Sequence, residues 1–148
     1  MEGVTIRQMT SADLAEVHAI ENLCYSTPWS LNSFKYELGK KDTILKVAVS
    51  NGRVTGYVCV RTILDVTHLL NITVLPESRR KGIAGMLLSE ALDELRRTKP
   101  ATQLTLEVRQ SNTAAIRLYE KFGFKVTGKR KNYYHKPDDD AVLMEVEV

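Results

Sequence analysis

Residues 69–95 read LLNITVLPESRRKGIAGMLLSEALDEL. The order is an apolar strand, a break at Pro76, a short basic loop, and an amphipathic helix that opens at Gly82. A helix N-terminus carries unsatisfied N–H groups and a positive partial charge, so a strand–loop–helix entry of this kind can hold an anion. Arg79, Arg80 and Lys81 place cations beside it, and Gly82, Ala84 and Gly85 keep the first turn free of bulk. The alternative is an ordinary strand-to-helix turn with solvated basic residues, and this stretch alone does not separate the two.

Working outward, Ile83, Leu87, Ala91 and Leu95 recur every four residues, with Ala84, Leu88 and Leu92 alongside, which predicts one apolar helix face. Gln103 to Gln110 alternates strictly, with Leu104, Leu106 and Val108 on one side and Thr105, Glu107 and Arg109 on the other, a strand pattern. Asn112 then suits an N-cap, Ala115, Leu118, Tyr119 and Phe122 a buried stripe, and Gly123 a left-handed C-terminal residue. Phe124 to Tyr134 and Ala141 to Val148 read as two closing strands around an acidic turn. Upstream, Val4 to Met9 reads as a strand. A helix capped by Ser11 or Asp13 follows, with Leu14, Val17, Ala19, Ile20 and Leu23 on its apolar face. After the Pro28-Trp29 break, Ser30 can cap a second helix to about Leu38. Asn51-Gly52 between the runs Ile44 to Val49 and Val54 to Ile63 is a strong hairpin signal. The expected architecture is one α/β domain over residues 1–148 with a layered sheet.

Composition excludes several classes. A length of 148 residues supports a real core without staples. A net charge of +3 is too small for a general nucleic-acid binder, and no aromatic RNA-binding signature is present. Cys24 and Cys59 lie far apart, and His18, His68 and His135 are scattered, so no metal site is expected. No apolar run approaches the ~20 residues of a membrane span, and no signal pattern opens the chain. A cytoplasmic protein is the expectation.

Neither G-x-x-x-x-G-K-[ST] nor G-x-G-x-x-G occurs. What does occur is Arg79-x-x-Gly82-x-Ala84 between a strand and a helix, then a strand, then Asn112-x-x-Ala115-x-x-x-Tyr119-x-x-x-Gly123-Phe124. This succession resembles the GCN5-related N-acetyltransferases, the GNAT superfamily, over essentially the whole chain. Pro28-Trp29-Ser30, Leu106-Glu107-Val108-Arg109, Asn132-Tyr133-Tyr134, and Asp140-Ala141 with Met144 are similar to the RimI-type ribosomal-protein-alanine N-acetyltransferases. The resemblance implies a mixed, mostly antiparallel sheet of about seven strands flanked by about four helices and split between the fourth and fifth strands.

It also implies acetyl-CoA as co-substrate, without a metal. Its pyrophosphate would lie on the loop and helix start, Arg79, Arg80, Lys81, Gly82, Ile83, Ala84 and Gly85. Its pantetheine arm would pair along Ile72, Thr73 and Val74. Asn112 matches a position that contacts CoA, although capping explains it equally well locally. Glu107 becomes the candidate base for the acceptor amine, against the alternative of a surface carboxylate on a half-exposed strand. Tyr119 becomes the candidate acid for the leaving thiolate, against the alternative of a core aromatic. Trp29, Tyr133 and Tyr134 match the acceptor-peptide groove. Trp29 suits a core role as well, and on a regular strand only one of the paired tyrosines would face the groove.

The implied activity is transfer of an acetyl group to the N-terminal amine, Ala or similar, of a ribosomal or other protein, possible acceptors including a small-subunit ribosomal protein. The alternatives are a small-molecule amine or an internal Lys as acceptor, and a non-catalytic CoA sensor on the same fold. A monomer is expected. Lys129 to Lys131 reads as a solvated strand edge in preference to a contact for an acidic partner.

Overall fold

The computed structural model of the protein describes residues 3–148. The elements are β1 (Val4–Gln8), α1 (Leu14–Cys24), α2 (Leu31–Leu38), β2 (Thr43–Ser50), β3 (Arg53–Ile63), β4 (Val66–Val74), α3 (Ile83–Thr98), β5 (Gln103–Arg109), α4 (Thr113–Lys121), β6 (Lys125–Tyr134) and β7 (Asp139–Glu147). The strands form one sheet in the order β1-β2-β3-β4-β5-β7-β6. Every pairing is antiparallel except β4 with β5, which α3 connects as a crossover. The sequence expectation of a mixed seven-stranded sheet with four helices, split between the fourth and fifth strands, holds.

The parallel seam is short. Only Val66–Gln103, Thr67–Leu104 and His68–Thr105 are paired. Buried hydroxyls fasten this closed end: Thr67 meets Thr62 at 2.8 Å and Thr102 at 2.9 Å, and the His68 ring meets the Thr105 hydroxyl at 2.9 Å. Directly beyond it, β4 carries a bulge. Val60 pairs with Leu69 and Cys59 with Asn71, so Leu70 is the extra residue. A bulge bends its strand and increases local twist, and from here β4 and β5 diverge.

Each face of the sheet has its own core. Ile83, Leu87, Leu88, Ala91, Leu92 and Leu95 of α3 pack with Val58, Val60, Leu104, Leu106 and Met144, joined by Tyr119 and Phe124. Val17, Ile20 and Phe34 of α1 and α2 pack with Leu45, Val47, Tyr57 and Cys59. The second layer covers the β2–β4 half, so the same face of β5, β7 and β6 stays open to a partner. At the outer edge, β6 presents Lys125, Lys129, Arg130 and Lys131 exposed, a charged edge that discourages further strand pairing.

Three local expectations are corrected. β4 begins at Val66, not Leu69, because the hairpin turn at Leu64-Asp65 brings the chain straight back onto β3. In α1, Ala19 and Leu23 are exposed, and Glu21 takes a buried position beside Val17 and Ile20. Asp13 precedes α1 but does not cap it. Its carboxylate reaches back to the Thr10 N–H and the Arg7 guanidinium, each at 2.8 Å. The Arg7 partner holds the Asp13 carboxyl below the usual range.

Gly56 on β3 is a tight point beneath α3. An added Cβ would lie 2.9 Å from the Thr73 carbonyl oxygen and 3.2 Å from a Leu87 methyl. Gly56→Ala is therefore expected to lower stability by about 1–3 kcal/mol, as overpacking does. Gly128→Ala, with nothing within 4 Å of the new methyl, is expected to stay within about 0.5 kcal/mol. Urea midpoints of the two variants check this, and equal shifts would refute it.

Candidate active site

Where β4 and β5 part, a cleft of about 280 Å³ opens between residues 69–72 of β4 and 106–109 of β5. The turn between α1 and α2 closes one side with Tyr25, Thr27 and Trp29. Asn112 and Tyr119 of α4 and Tyr134 of β6 complete it. The structure thus brings together Glu107, Tyr119, Asn112, Trp29, Tyr134 and Ile72 from segments remote in sequence. A second depression of about 260 Å³ shares Leu69, Leu70, Leu106 and Glu107 with the first, and continues over the open face past His68, Thr105 and Arg130. Glu107 stands at the junction of the two.

Alternation on β5 puts Leu106 and Val108 in the core and turns Glu107 to the cleft. Its carboxylate is half-exposed, with the Tyr133 hydroxyl 3.5 Å from Oε1 and the Arg130 guanidinium 3.7 Å from Oε2. These are long contacts, so the carboxylate keeps capacity to accept a proton or a donor.

Of Tyr133 and Tyr134 only Tyr134 is among the residues lining the cleft, in keeping with the expectation that at most one would face the groove, but the two side chains do not point to opposite faces. Their rings meet edge to face at 5.0 Å, Tyr133 pointing to Glu107 and Tyr134 lining the cleft. The register of β6 slips between Arg130 and Tyr134. Asn132 there adopts φ 53°, and its N–H is taken by the Asp140 carboxylate at 2.8 Å. A slip breaks the two-residue alternation, which brings successive side chains to one face. The Arg109 guanidinium lies 4.5 Å from the Tyr134 ring centre and donates to the Pro137 and His135 carbonyls, holding the β6–β7 turn. Burial, then the Glu107 charge, pushes the Tyr134 hydroxyl up to about 12.

Tyr119 is a core aromatic that also reaches the cleft. Its ring packs on Phe124 at 5.6 Å, the residue is 6% exposed, and it still lines the cleft. Burial raises its pKa well above the usual tyrosine value, with Tyr25 and Tyr134 adding to the effect, so the hydroxyl stays protonated. Asn112 caps α4, its Oδ1 accepting from the Ala115 N–H at 3.2 Å, while lining the same cleft. Capping uses the oxygen and leaves the amide N–H₂ to face the opening.

On the donor side, the loop contains a 3-10 turn, Pro76–Ser78, and then two left-handed residues, Arg80 at φ 64° and Gly82 at φ 80°. Gly82 is the N-cap of α3, with Ile83 buried beneath and Ala84 and Gly85 adding little bulk above. Arg79 turns inward. Its Nε donates to the Val74 carbonyl at 3.0 Å, and its Nη2 lies 3.5 Å from the Cys24 sulfur. Arg80 and Lys81 stay exposed. The Leu75 N–H donates to Thr55 on β3. Strand alternation therefore turns the main-chain groups of Ile72 and Val74 toward the opening and those of Thr73 toward β3. The Thr73 hydroxyl is likewise internal, bonded to Asn71 and to Tyr25.

The sequence reading missed Glu21, Tyr25 and Asn71. Glu21, 2% exposed, accepts from the Tyr57 hydroxyl at 2.6 Å, the Asn71 amide at 2.9 Å and the Trp29 N–H at 2.9 Å. Its one sequence signal is a charged residue three positions after Val17 plus one, adjacent to Ile20, where the apolar stripe of α1 should continue. Cys24 is half-buried, at the end of α1 against Arg79.

The profile described as the Acetyltransferase (GNAT) family matches residues 14–124. The [ribosomal protein bS18]-alanine N-acetyltransferase of Escherichia coli strain K12 is 37% identical over 142 residues, 95% of each chain. The putative [ribosomal protein bS18]-alanine N-acetyltransferase of Bacillus subtilis strain 168 is 35% identical over 144 residues, 97% of this chain and 95% of that one. The crystal structure of the ribosomal-protein-S18-alanine N-acetyltransferase from Escherichia coli superposes with a TM-score of 0.89 at 33% identity, covering 98% of this chain and 94% of that one. Sequence over nearly the full length and fold agree: the chain belongs to the GNAT family of acetyltransferases.

Proposed function

We propose that this chain is an acetyl-CoA-dependent Nα-acetyltransferase that modifies an N-terminal alanine, on a ribosomal protein of the small subunit. The observation that carries the reading is Glu107 and Tyr119 lining one cleft where β4 and β5 part, with the α4 N-cap Asn112 beside them. The full-length similarity to bS18-alanine N-acetyltransferases supports the acceptor class. An internal-Lys or small-amine acceptor is less well supported, because the aromatic lining of Tyr25, Trp29 and Tyr134, with Tyr133 beside Glu107, suits a polypeptide. No helix among the described residues is long and apolar enough to cross a membrane. A cytoplasmic setting fits that acceptor.

The donor fits the residues present. The amides of Arg80 to Gly85 at the start of α3 would hold the pyrophosphate, with Arg80 and Lys81 beside it, while Arg79 ties the loop to the Val74 carbonyl. The Ile72 and Val74 edge would pair with the amides of the pantetheine arm, and the Asn112 amide would contact the same arm. Acetyl-CoA supplies a thioester carbonyl to the site.

Glu107 accepts a proton from the acceptor's ammonium, directly or through one water. The neutral amine then attacks the acetyl carbonyl, the new C–N bond forms, and the C–S bond breaks. Tyr119 gives its proton to the departing thiolate. An unperturbed tyrosine near 10 already lies above a thiol near 8.5, and burial raises Tyr119 further. Its proton is therefore present throughout the working range and moves only as charge builds on sulfur.

Incubation with acetyl-CoA and peptides beginning Ala, Ser, Met or Gly, with an internal-Lys control, is expected to add one acetyl group to the α-amine, fastest for Ala. Mass spectrometry checks this, and acetylation confined to Lys would overturn the acceptor class. Glu107→Gln is expected to lower turnover at pH 7 by roughly 10²–10⁴-fold. The deficit should shrink above pH 8, where an α-amine near 7.7–8.0 is already neutral. Tyr119→Phe is expected to reduce kcat, with acetyl-CoA affinity nearly unchanged and no rescue at high pH. A Glu107→Gln pH profile of wild-type shape, or a Tyr119→Phe defect in binding alone, would remove these assignments.

A further inference from the structure

A carboxylate buried among apolar side chains is costly unless its lone pairs are taken. Glu21 has three donors from three other parts of the chain: Tyr57 on β3, Asn71 on β4, and the N–H of Trp29 at the exit of the α1–α2 turn. The network extends outward, since Asn71 accepts from the Thr73 hydroxyl, which meets the Tyr25 hydroxyl at 2.7 Å. Tyr25 and Trp29, the two aromatic residues this turn contributes to the cleft, are thus both tied to β4, one through Thr73 and one through Glu21.

Nothing in helix formation explains this arrangement. At Glu21 a leucine would continue the α1 stripe and pack on the apolar layer of Val17, Ile20 and Phe34. Replacing a buried polar network by packed apolar groups is commonly neutral or stabilising. What the carboxylate adds is direction: it fixes one N–H of a surface turn at 2.9 Å relative to two strands.

We propose that Glu21 is a positioning residue for the acceptor, holding the Trp29 wall of the cleft in register with β4. This rests on the acetyltransferase reading of the same cleft. Glu21 is not a second base, because Oε1 already accepts from Tyr57 and Asn71 and Oε2 accepts from Trp29. Glu21→Gln releases Trp29 selectively. The amide keeps two donors satisfied by turning its oxygen to Tyr57 and Asn71, so its N–H₂ faces the Trp29 N–H, donor against donor.

Trp29 is the only tryptophan in the chain, so its emission reports this turn alone. In Glu21→Gln the emission is expected to shift to the red with faster acrylamide quenching. KM for an Ala-terminal peptide should rise about tenfold, the size of a lost hydrogen bond to a charged group, with KM for acetyl-CoA unchanged. Tyr57→Phe removes a donor from the same carboxylate but leaves Trp29 attached. It is expected to lower Tm without moving the emission or the peptide KM. In the wild-type chain, by NMR, the Trp29 amide should exchange with solvent more slowly than those of Ser26 and Thr27. That measurement stands even where Glu21→Gln does not fold. Fast Trp29 exchange, an unmoved emission, or equal rises in both KM values would overturn the proposal. Wild-type protein that acetylates no peptide would instead defeat the functional reading, while the fluorescence and exchange results would still decide the tether.

Discussion

Three residue pairs hold the two halves of this sheet together, and where they stop the active cleft begins. Val66–Gln103, Thr67–Leu104 and His68–Thr105 are all the parallel pairing among the described residues. The buried Thr62–Thr67–Thr102 hydroxyl chain fastens that end so that the other can diverge. A sheet that lets two strands part gives up main-chain hydrogen bonds in its interior, which is tolerable only where another partner meets the exposed groups. Arg79 already meets one of them, the Val74 carbonyl. The remainder form an edge that a ligand with amides of its own can complete. The bulge at Leu70 turns what would be a ladder into an opening.

The polar residues around the opening divide by solvent access. Glu107 is half-exposed and loosely held by Tyr133 and Arg130 at 3.5 and 3.7 Å, which leaves its carboxylate accessible from the cleft, as the proposed base has to be. Glu21 is sealed and fully engaged, which suits a fixed strut. Tyr119 sits between these extremes, its ring in the core and its face on the cleft. Two carboxylates and one tyrosine thus stand in different surroundings, a division that residue type alone does not reveal.

The parts of this arrangement that were legible in the sequence are those set by local period. The α3 stripe, the alternation that aims Glu107, the Asn112 cap and the Gly123 stop depend on neighbours a few residues away, and each stands where its pattern puts it. The unread parts depend on breaks in period or on long-range partners. Tyr133 and Tyr134 share a face only because Asn132 slips the β6 register, and nothing in Asn-Tyr-Tyr states the slip. Glu21 finds Tyr57 and Asn71 across 36 and 50 residues. Arg79 was counted among the phosphate cations from its position beside Arg80 and Lys81. Its engagement with Val74 depends on the path of the loop, which composition does not encode.

The same geometry bears on whether the acetyl group passes through the protein. An acetyl-cysteine route needs a thiolate at the cleft. Cys59 is fully buried on β3, and burial pushes its thiol far up. Cys24 sits at the rim, and burial raises its thiol too, outweighing the Arg79 guanidinium beside it. Neither lines the cleft that Glu107 and Tyr119 share. β4, in contrast, takes part on both sides of the opening: its Ile72 and Val74 main-chain groups face it, and its Asn71 and Thr73 side chains brace the turn that carries Tyr25 and Trp29. Under the proposed acetyl transfer, that one strand would hold donor and acceptor together, as direct attack needs, because its rate gain comes from holding amine and carbonyl in a single orientation. A relay through cysteine would need neither substrate held while the other is present.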